Sequence, residues 1–132
     1  MNSTTKAEVA VADVKIGEQL NGHIGIVHGG IISLMFDDAF GWGYGAMAMA
    51  LIEKSGNEVI SDDIPMVVTA NLSINYRNPL PAGSEFVVRV YHEKTEGRKI
   101  HMSARLESKD GSILYTEATA LFMTIKKEAL QV

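Results

Sequence analysis

One stretch constrains this chain more than any other. From Ile31 to Ile52 it reads IISLMFDDAFGWGYGAMAMALI, 22 residues without a basic side chain. The run is apolar on every side at helical spacing, which predicts a helix buried within a domain. Two acids, Asp37 and Asp38, interrupt it. A carboxylate among apolar side chains is costly to ionise and tends to have a raised pKa, so the pair marks a candidate catalytic site. The run is long enough to raise a membrane span. Two central acids would each cost about 2.5–3.5 kcal/mol there. Past Asp38 only 14 residues remain, three of them glycine. A span is therefore rejected.

The rest of the chain reads as wrapping for that helix. Its 132 residues suit one domain with a sizeable core, residues 1–132. Ala7 to Ile16 alternates, with Ala7, Val9 and Val11 opposite Glu8, Ala10 and Ala12, a first strand. Gly17 to Val27 has a loop composition. Gly29-Gly30 opens the helix, which is expected to run to about Lys54, roughly 37 Å at the helical rise. Gly41, Gly43 and Gly45 each cost about 1 kcal/mol there. They imply either close approach of another backbone or a local kink. Ile64 to Tyr76 is a long strand, with Val68, Ala70, Leu72, Ile74 and Tyr76 opposite Thr69, Asn71, Ser73 and Asn75. A proline-rich turn, Asn78 to Gly83, precedes strands at Glu85–Lys94, Arg98–Ser108 and Ile113–Ile125. Asp110-Gly111 is a hairpin signal between the last two. One helix followed by a four-strand antiparallel meander predicts an α+β domain.

Charge narrows the partners. The net charge of −4 argues against nucleic acid. It is unevenly spread, −6 over residues 1–66 and +2 over residues 67–132, so an anionic ligand would favour the second half. Cysteine is absent, which removes disulfides, thiolate catalysis and Cys-ligated zinc. The N-terminal segment MNSTTKAEVAVADV carries neither a signal-peptide apolar core nor an arginine. Compartment stays open between cytoplasm and mitochondrial matrix.

Three stretches resemble a known family: VHGGIISLMFDD, VVTANLSINYRNPLPAGS and EGRKIHMSARLESKDGSILYTEATALFM. They are similar to hotdog-fold acyl-coenzyme A thioesterases, the His-Gly-Gly, PaaI-like group, over about Asn21 to Lys126. The resemblance implies a long central helix wrapped by a curved antiparallel sheet. It implies that Asp37, nine positions after His28, is the general base or nucleophile. It further implies that the Gly29 N–H polarises the thioester carbonyl, that His28 supports the geometry, and that Thr69 assists the attacking water. The site is then shared between two subunits, Asp37 standing across the interface from His28 and Gly29, in a homodimer or a dimer of dimers. Gly30, Asn21, His23, Arg77, Asn78, Arg98 and Lys99 are the candidate coenzyme A contacts. Neither metal nor organic cofactor is expected, coenzyme A being part of the substrate.

The chemistry is reasonable without the family. A helix N-terminus offers unpaired N–H groups and partial positive charge. Aimed at a carbonyl, such donors stabilise a developing oxyanion, by about 3 kcal/mol each. A thiolate with a pKa near roughly 8.5 leaves readily, so one carboxylate base and an oxyanion site could suffice. Plainer readings stand beside each assignment. Asp38 pairs, caps or meets solvent, and His92 and His101 are surface strand residues. Arg77, Arg98 and Lys99 are solvated turn charges, and the Met47-Met49 and Phe36-Phe40 spacings are core. Thr69 carries a conflict, since simple alternation turns it away from the helix. Either the helix-facing side is partly polar near the site or a bulge resets the register. Besides hydrolysis, a non-catalytic acyl-coenzyme A or acyl-carrier binder and a hotdog hydratase or dehydratase remain as alternatives.

Overall fold

The computed structural model describes residues 6–15, 21–23, 26–27, 29–54, 56, 66–81 and 83–125. In chain order these form β1 (Ala7–Lys15), β2 (Asn21–His23), β3 (Ile26–Val27), α1 (Gly29–Lys54), β4 (Met66–Tyr76), β5 (Glu85–Glu96), β6 (Lys99–Ser108) and β7 (Leu114–Ile125). The helix occupies the span expected of it. The segment read as a loop before it contains the small antiparallel pair β2–β3. The large sheet has five antiparallel strands in the order β1-β5-β6-β7-β4.

That order corrects the expected meander. Strands β5, β6 and β7 do follow one another as hairpins, but β4 pairs with β7 and not with β5. Three inter-strand steps, about 14 Å, separate β4 from β5. Eight residues, 77–84, make the crossing. Pro79 and Pro81 have no N–H to offer a neighbouring strand. Leu80, 1% exposed, anchors the crossing in the core. The amides of Arg77 and Asn78 both donate to the Tyr115 carbonyl, at 2.8 and 3.0 Å. The place beside β5 is taken by β1. Alternation tells which face of a strand is apolar, but not which edge it meets, so in sequence the crossing looks the same as a tight turn.

The sheet bends around one side of the helix. Extra residues stand at Val9 in β1, Ala70 in β4, Glu93 in β5 and Tyr115 in β7, each a bulge that bends its strand and raises local twist. The bulge at Val9 also changes the expected face of β1. Ala10, Ala12 and Val14 oppose the core residues Val90, Val88 and Phe86, while Val11 is exposed. Ile32, Phe36, Ala39, Phe40, Tyr44 and Ala48 form the buried side of α1. They meet Val88, Val90, Ile100, Met102, Ala104, Leu106, Ala118, Ala120 and Phe122 from the sheet. Phe40 and Phe122 meet edge to face, centroids 6.0 Å apart. Each large apolar side chain buried this way stabilises the fold by about 1.5–3 kcal/mol.

Two expectations about the helix change. Its glycines differ: a Cβ on Gly43 would reach Val90 Cγ1 at 2.7 Å, whereas nothing lies within 4 Å of one on Gly41 or Gly45. Close approach of the sheet is thus confined to Gly43. The helix is also not covered all round. Leu34, Trp42 and Met49 are 60%, 52% and 42% exposed. A single sheet layer can bury only one side of a helix, so the apolar residues at the back of α1 stay uncovered in one chain. His92 departs in the other direction. It pairs with Met102 on the helix-facing side and is 8% exposed, so it is no surface residue. Burial pushes its imidazole below the usual histidine range, with Glu93 beside it opposing. The β6–β7 turn follows its Asp-Gly signal. Asp110 accepts from the Ser112 amide and from the hydroxyls of Ser112 and Ser108, which hold its carboxyl down to about 2.

Candidate active site

Asp37 and Asp38 are both exposed in the single chain, which corrects the expectation of a buried carboxylate. At 100° per residue, Asp37 falls on the flank of the stripe formed by Ile32, Phe36 and Phe40, and Asp38 falls behind it. The flank faces β4. There the Thr69 hydroxyl donates to Asp37 Oδ1 at 3.3 Å. The bulge at Ala70 makes this contact possible. It leaves Thr69 opposite Phe122 and Leu72 opposite Ala120, both core partners, so residues on either side of the bulge face the helix. Directly opposed residues of an antiparallel pair share a face. Of the two resolutions open to the Thr69 conflict, the register reset is the one observed. Asp38 stands apart from this pair, beside Leu34 and Trp42 in a shallow depression of about 320 Å³.

A second group of residues gathers at the start of the helix. Gly29 is its first residue, so the Gly29 N–H has no acceptor within the helix. Gly29, Gly30, Ile32, Tyr76, Arg77, Asn78, Pro79 and Leu80 line an open pocket of about 580 Å³. The Tyr76 hydroxyl donates to the Gly29 carbonyl at 2.9 Å. Ser33 Oγ lies 2.9 Å from the Tyr76 hydroxyl and 3.2 Å from the same carbonyl. Neither Ser33 nor Tyr76 was singled out as a site residue. Tyr76 read simply as the last apolar position of a strand, and its hydroxyl partner is 47 residues away in sequence.

The candidate contacts for a nucleotide divide between the two ends of the sheet. Arg77 and Asn78 stand at the pocket and already have protein partners. Arg77 Nε donates to Glu117 at 2.9 Å, with its terminal nitrogen paired to the same carboxylate. Asn78 Nδ2 donates to the Leu114 carbonyl at 2.7 Å. Arg98, in the β5–β6 turn, and Lys99, the first residue of β6, stand at the opposite end, where Arg98 Nε donates to the Thr124 carbonyl at 2.9 Å and Lys99 lies across from Met123. Met123 in turn opposes Val68, so these two cations share the Thr69 end of the sheet. His28 lies outside the described residues, as do the side chains of Asn21 and His23. Among the described residues, no group of three or more His, Cys, Asp or Glu converges to hold a metal ion, and no helix is long and apolar enough to cross a membrane.

One long helix held against a curved five-stranded antiparallel sheet, with a Gly-Gly helix start and a Thr-Asp pair beyond it, defines a hotdog-fold domain. The profile of the Thioesterase superfamily matches residues 24–115, and the chain belongs to that family. It is 38% identical over 109 residues to acyl-coenzyme A thioesterase THEM4 of Xenopus laevis, a match spanning 83% of this chain and 42% of that protein. Against THEM4 of Mus musculus the identity is 38% over 112 residues, 85% of this chain and 41% of that one. The chain thus spans about two fifths of the length of these curated relatives. Among solved structures, a hypothetical protein from Staphylococcus aureus in complex with CoA superposes with a TM-score of 0.75 at 17% identity. That match covers 98% of this chain and 77% of the other. An acyl-CoA hydrolase from the same organism, in complex with butyryl coenzyme A, coenzyme A and coenzyme A disulfide, gives 0.66 at 15% identity, covering 93% and 65%.

Proposed function

We propose that this protein hydrolyses acyl-coenzyme A thioesters to the free acid and coenzyme A. The observation that carries the reading is the Asp37–Thr69 hydrogen bond, made between helix and strand across 32 residues by the bulge at Ala70. Its similarity to the THEM4 acyl-coenzyme A thioesterases supports the substrate class. In this reading Asp37 activates a water or attacks directly, and Thr69 orients the water. The Gly29 N–H stabilises the oxyanion, and His28 supports the loop that precedes it. Coenzyme A leaves as thiolate. Gly30, Arg77 and Asn78 face it from the helix-start pocket, with Asn21 and His23 on the strand pair before the helix. Metal and organic cofactor have no assigned role.

The helix itself argues for a site shared between two copies. Asp37 is eight steps along the helix from Gly29, about 12 Å of axial rise. A single carbonyl cannot meet both the Gly29 amide and the Asp37 carboxylate of one chain. Among the described residues β4 pairs only through β7, so its other edge is open, and Met66, Val68 and Tyr76 on it are 41%, 44% and 52% exposed. An open strand of 11 residues is a template for pairing. Two copies joined antiparallel there would bring one chain's Thr69, Asp37, Arg98 and Lys99 toward the other chain's Gly29 and Tyr76. This geometry supports a homodimer, alone or as half of a tetramer.

The test is thiol release from acyl-coenzyme A esters of graded chain length. Wild type should release coenzyme A, and Asp37→Asn should bind without release. Mixing Asp37→Asn with a Gly29→Pro variant, each inactive alone, should restore roughly a quarter of wild-type activity through mixed dimers with one intact site. Coenzyme A binding without release by wild type at every length would instead make the protein a binder. No restoration on mixing, in subunits shown to exchange, would reject the shared site.

A further inference from the structure

We propose that Tyr76 and Ser33 are positioning residues, which hold the Gly29–Gly30 backbone in the orientation that oxyanion stabilisation requires. The role rests on the thioesterase reading. The clamp itself rests on three contacts. The Tyr76 hydroxyl donates to the Gly29 carbonyl at 2.9 Å, Ser33 Oγ approaches that carbonyl at 3.2 Å, and the two hydroxyls are 2.9 Å apart. Three oxygens share two protons. Tyr76 gives its proton to the carbonyl, and Ser33 gives its own to the carbonyl or to the Tyr76 oxygen.

The need for such a clamp follows from the residue types. Two consecutive glycines let a substrate approach the backbone, but they also have more conformational freedom than any other pair. At a helix start the first amides lack the ladder that orders the later ones. A donor free to swing loses alignment with the carbonyl, and a displacement of 1 Å can cost about 100-fold in rate. Bonding the Gly29 carbonyl from β4 fixes the Gly29–Gly30 peptide plane, which carries the Gly30 N–H, and anchors the Gly29 Cα from which the neighbouring Gly29 N–H is hung. A Cβ on Gly29 would come to 3.4 Å from the Tyr76 hydroxyl oxygen and 3.5 Å from its ring carbon Cζ, so hydroxyl and ring bound the glycine from the pocket side. The tyrosine is the last residue of β4, and the strand's open edge continues from it toward Thr69. One strand therefore carries a contact to each half of the proposed machinery.

Tyr76→Phe removes the hydroxyl and keeps the ring, and Ser33→Ala removes the second donor. With acyl-coenzyme A substrates, Tyr76→Phe should lower kcat about tenfold and leave KM within about twofold, with the pH–rate profile unshifted. Ser33→Ala should lower kcat by about threefold, and the double variant by less than the product of the two, because both act on one carbonyl. Amide hydrogen exchange at Gly29 and Gly30, read by NMR, should rise about tenfold in Tyr76→Phe. An unchanged kcat in an active background would overturn the proposal. So would a loss carried by KM alone, which makes Tyr76 a substrate contact, or a displaced alkaline limb, which makes it a proton donor. If wild type releases no coenzyme A from any ester, the thioesterase reading falls, and exchange then decides the clamp by itself. Equal exchange in wild type and Tyr76→Phe would overturn it.

Discussion

Replacing Gly43 by alanine tests the central packing of the fold. The added methyl would stand 2.7 Å from Val90 Cγ1 and 3.3 Å from both Met102 Cε and Val9 Cγ2. Carbon pairs prefer about 3.5–4.0 Å. Met102 is unbranched and can give way. Val90 is 1% exposed and β-branched, so its χ1 is restricted and has little room to turn. Overpacking of this kind costs about 1–3 kcal/mol. Alanine returns about 1 kcal/mol of helix propensity. At Gly41, where nothing lies within 4 Å, only that gain operates. Gly43→Ala should therefore be less stable than Gly41→Ala by about 1–3 kcal/mol, or roughly 4 °C in Tm for each kcal/mol. Urea and thermal unfolding followed by circular dichroism, at matched protein concentration, measure the difference. A cycle with Val90→Ala isolates the contact, and the double variant should be at least about 1 kcal/mol more stable than the two single losses imply. Equal stabilities for Gly43→Ala and Gly41→Ala, with no coupling to Val90, would refute the claim that the sheet closes on the helix at this point.

Thr69→Ala should lower kcat about tenfold while changing stability by less than about 0.5 kcal/mol, because the side chain is exposed and its hydroxyl bonds Asp37; kinetics and urea unfolding read the two effects separately. His92 carries a pH dependence. Its folded pKa lies below the ordinary 6.5, so the unfolded chain takes up the proton first. Its contribution is whole above about pH 6.5 and is lost as pH falls from there toward the folded value. His92→Gln should flatten unfolding free energy against pH between about 7 and 5, and identical slopes would reject the assignment. Thr116 Oγ1 is buried without a hydrogen-bond partner among the described residues. Thr116→Val should be neutral or stabilising by up to about 1 kcal/mol in thermal unfolding.

The helix and the strand spans were legible because hydrophobic period is a local property. Ile31–Ile52 is apolar at helical spacing over its whole length, and the Asp110 carboxylate holds its turn through the neighbouring Ser108 and Ser112. The Gly-Gly start and the acid on the helix flank were likewise visible, carried by family resemblance as much as by physics. What depended on contacts between distant residues was not legible. The departure of β4 to the far edge was hidden because face alternation is blind to which edges pair. The inward side of His92, by contrast, was legible: it continues the alternation of Phe86, Val88 and Val90, and the extra residue at Glu93 comes only after it, so the surface reading set aside the strand's own period.

The site divides along the same line. Sequence alone supplied Asp37, Gly29 and the chemistry their types allow. Only the tertiary structure brought Thr69 to Asp37, because one extra residue at Ala70 reverses the faces of everything on one side of it, and no local propensity marks that residue. Only the tertiary structure brought Tyr76 to the Gly29 carbonyl, because that bond closes over 47 residues and depends on where β4 ends. A period of two or of 3.6 is written in neighbouring residues, whereas the meeting of two groups from different elements is set by the balance of packing over the whole chain.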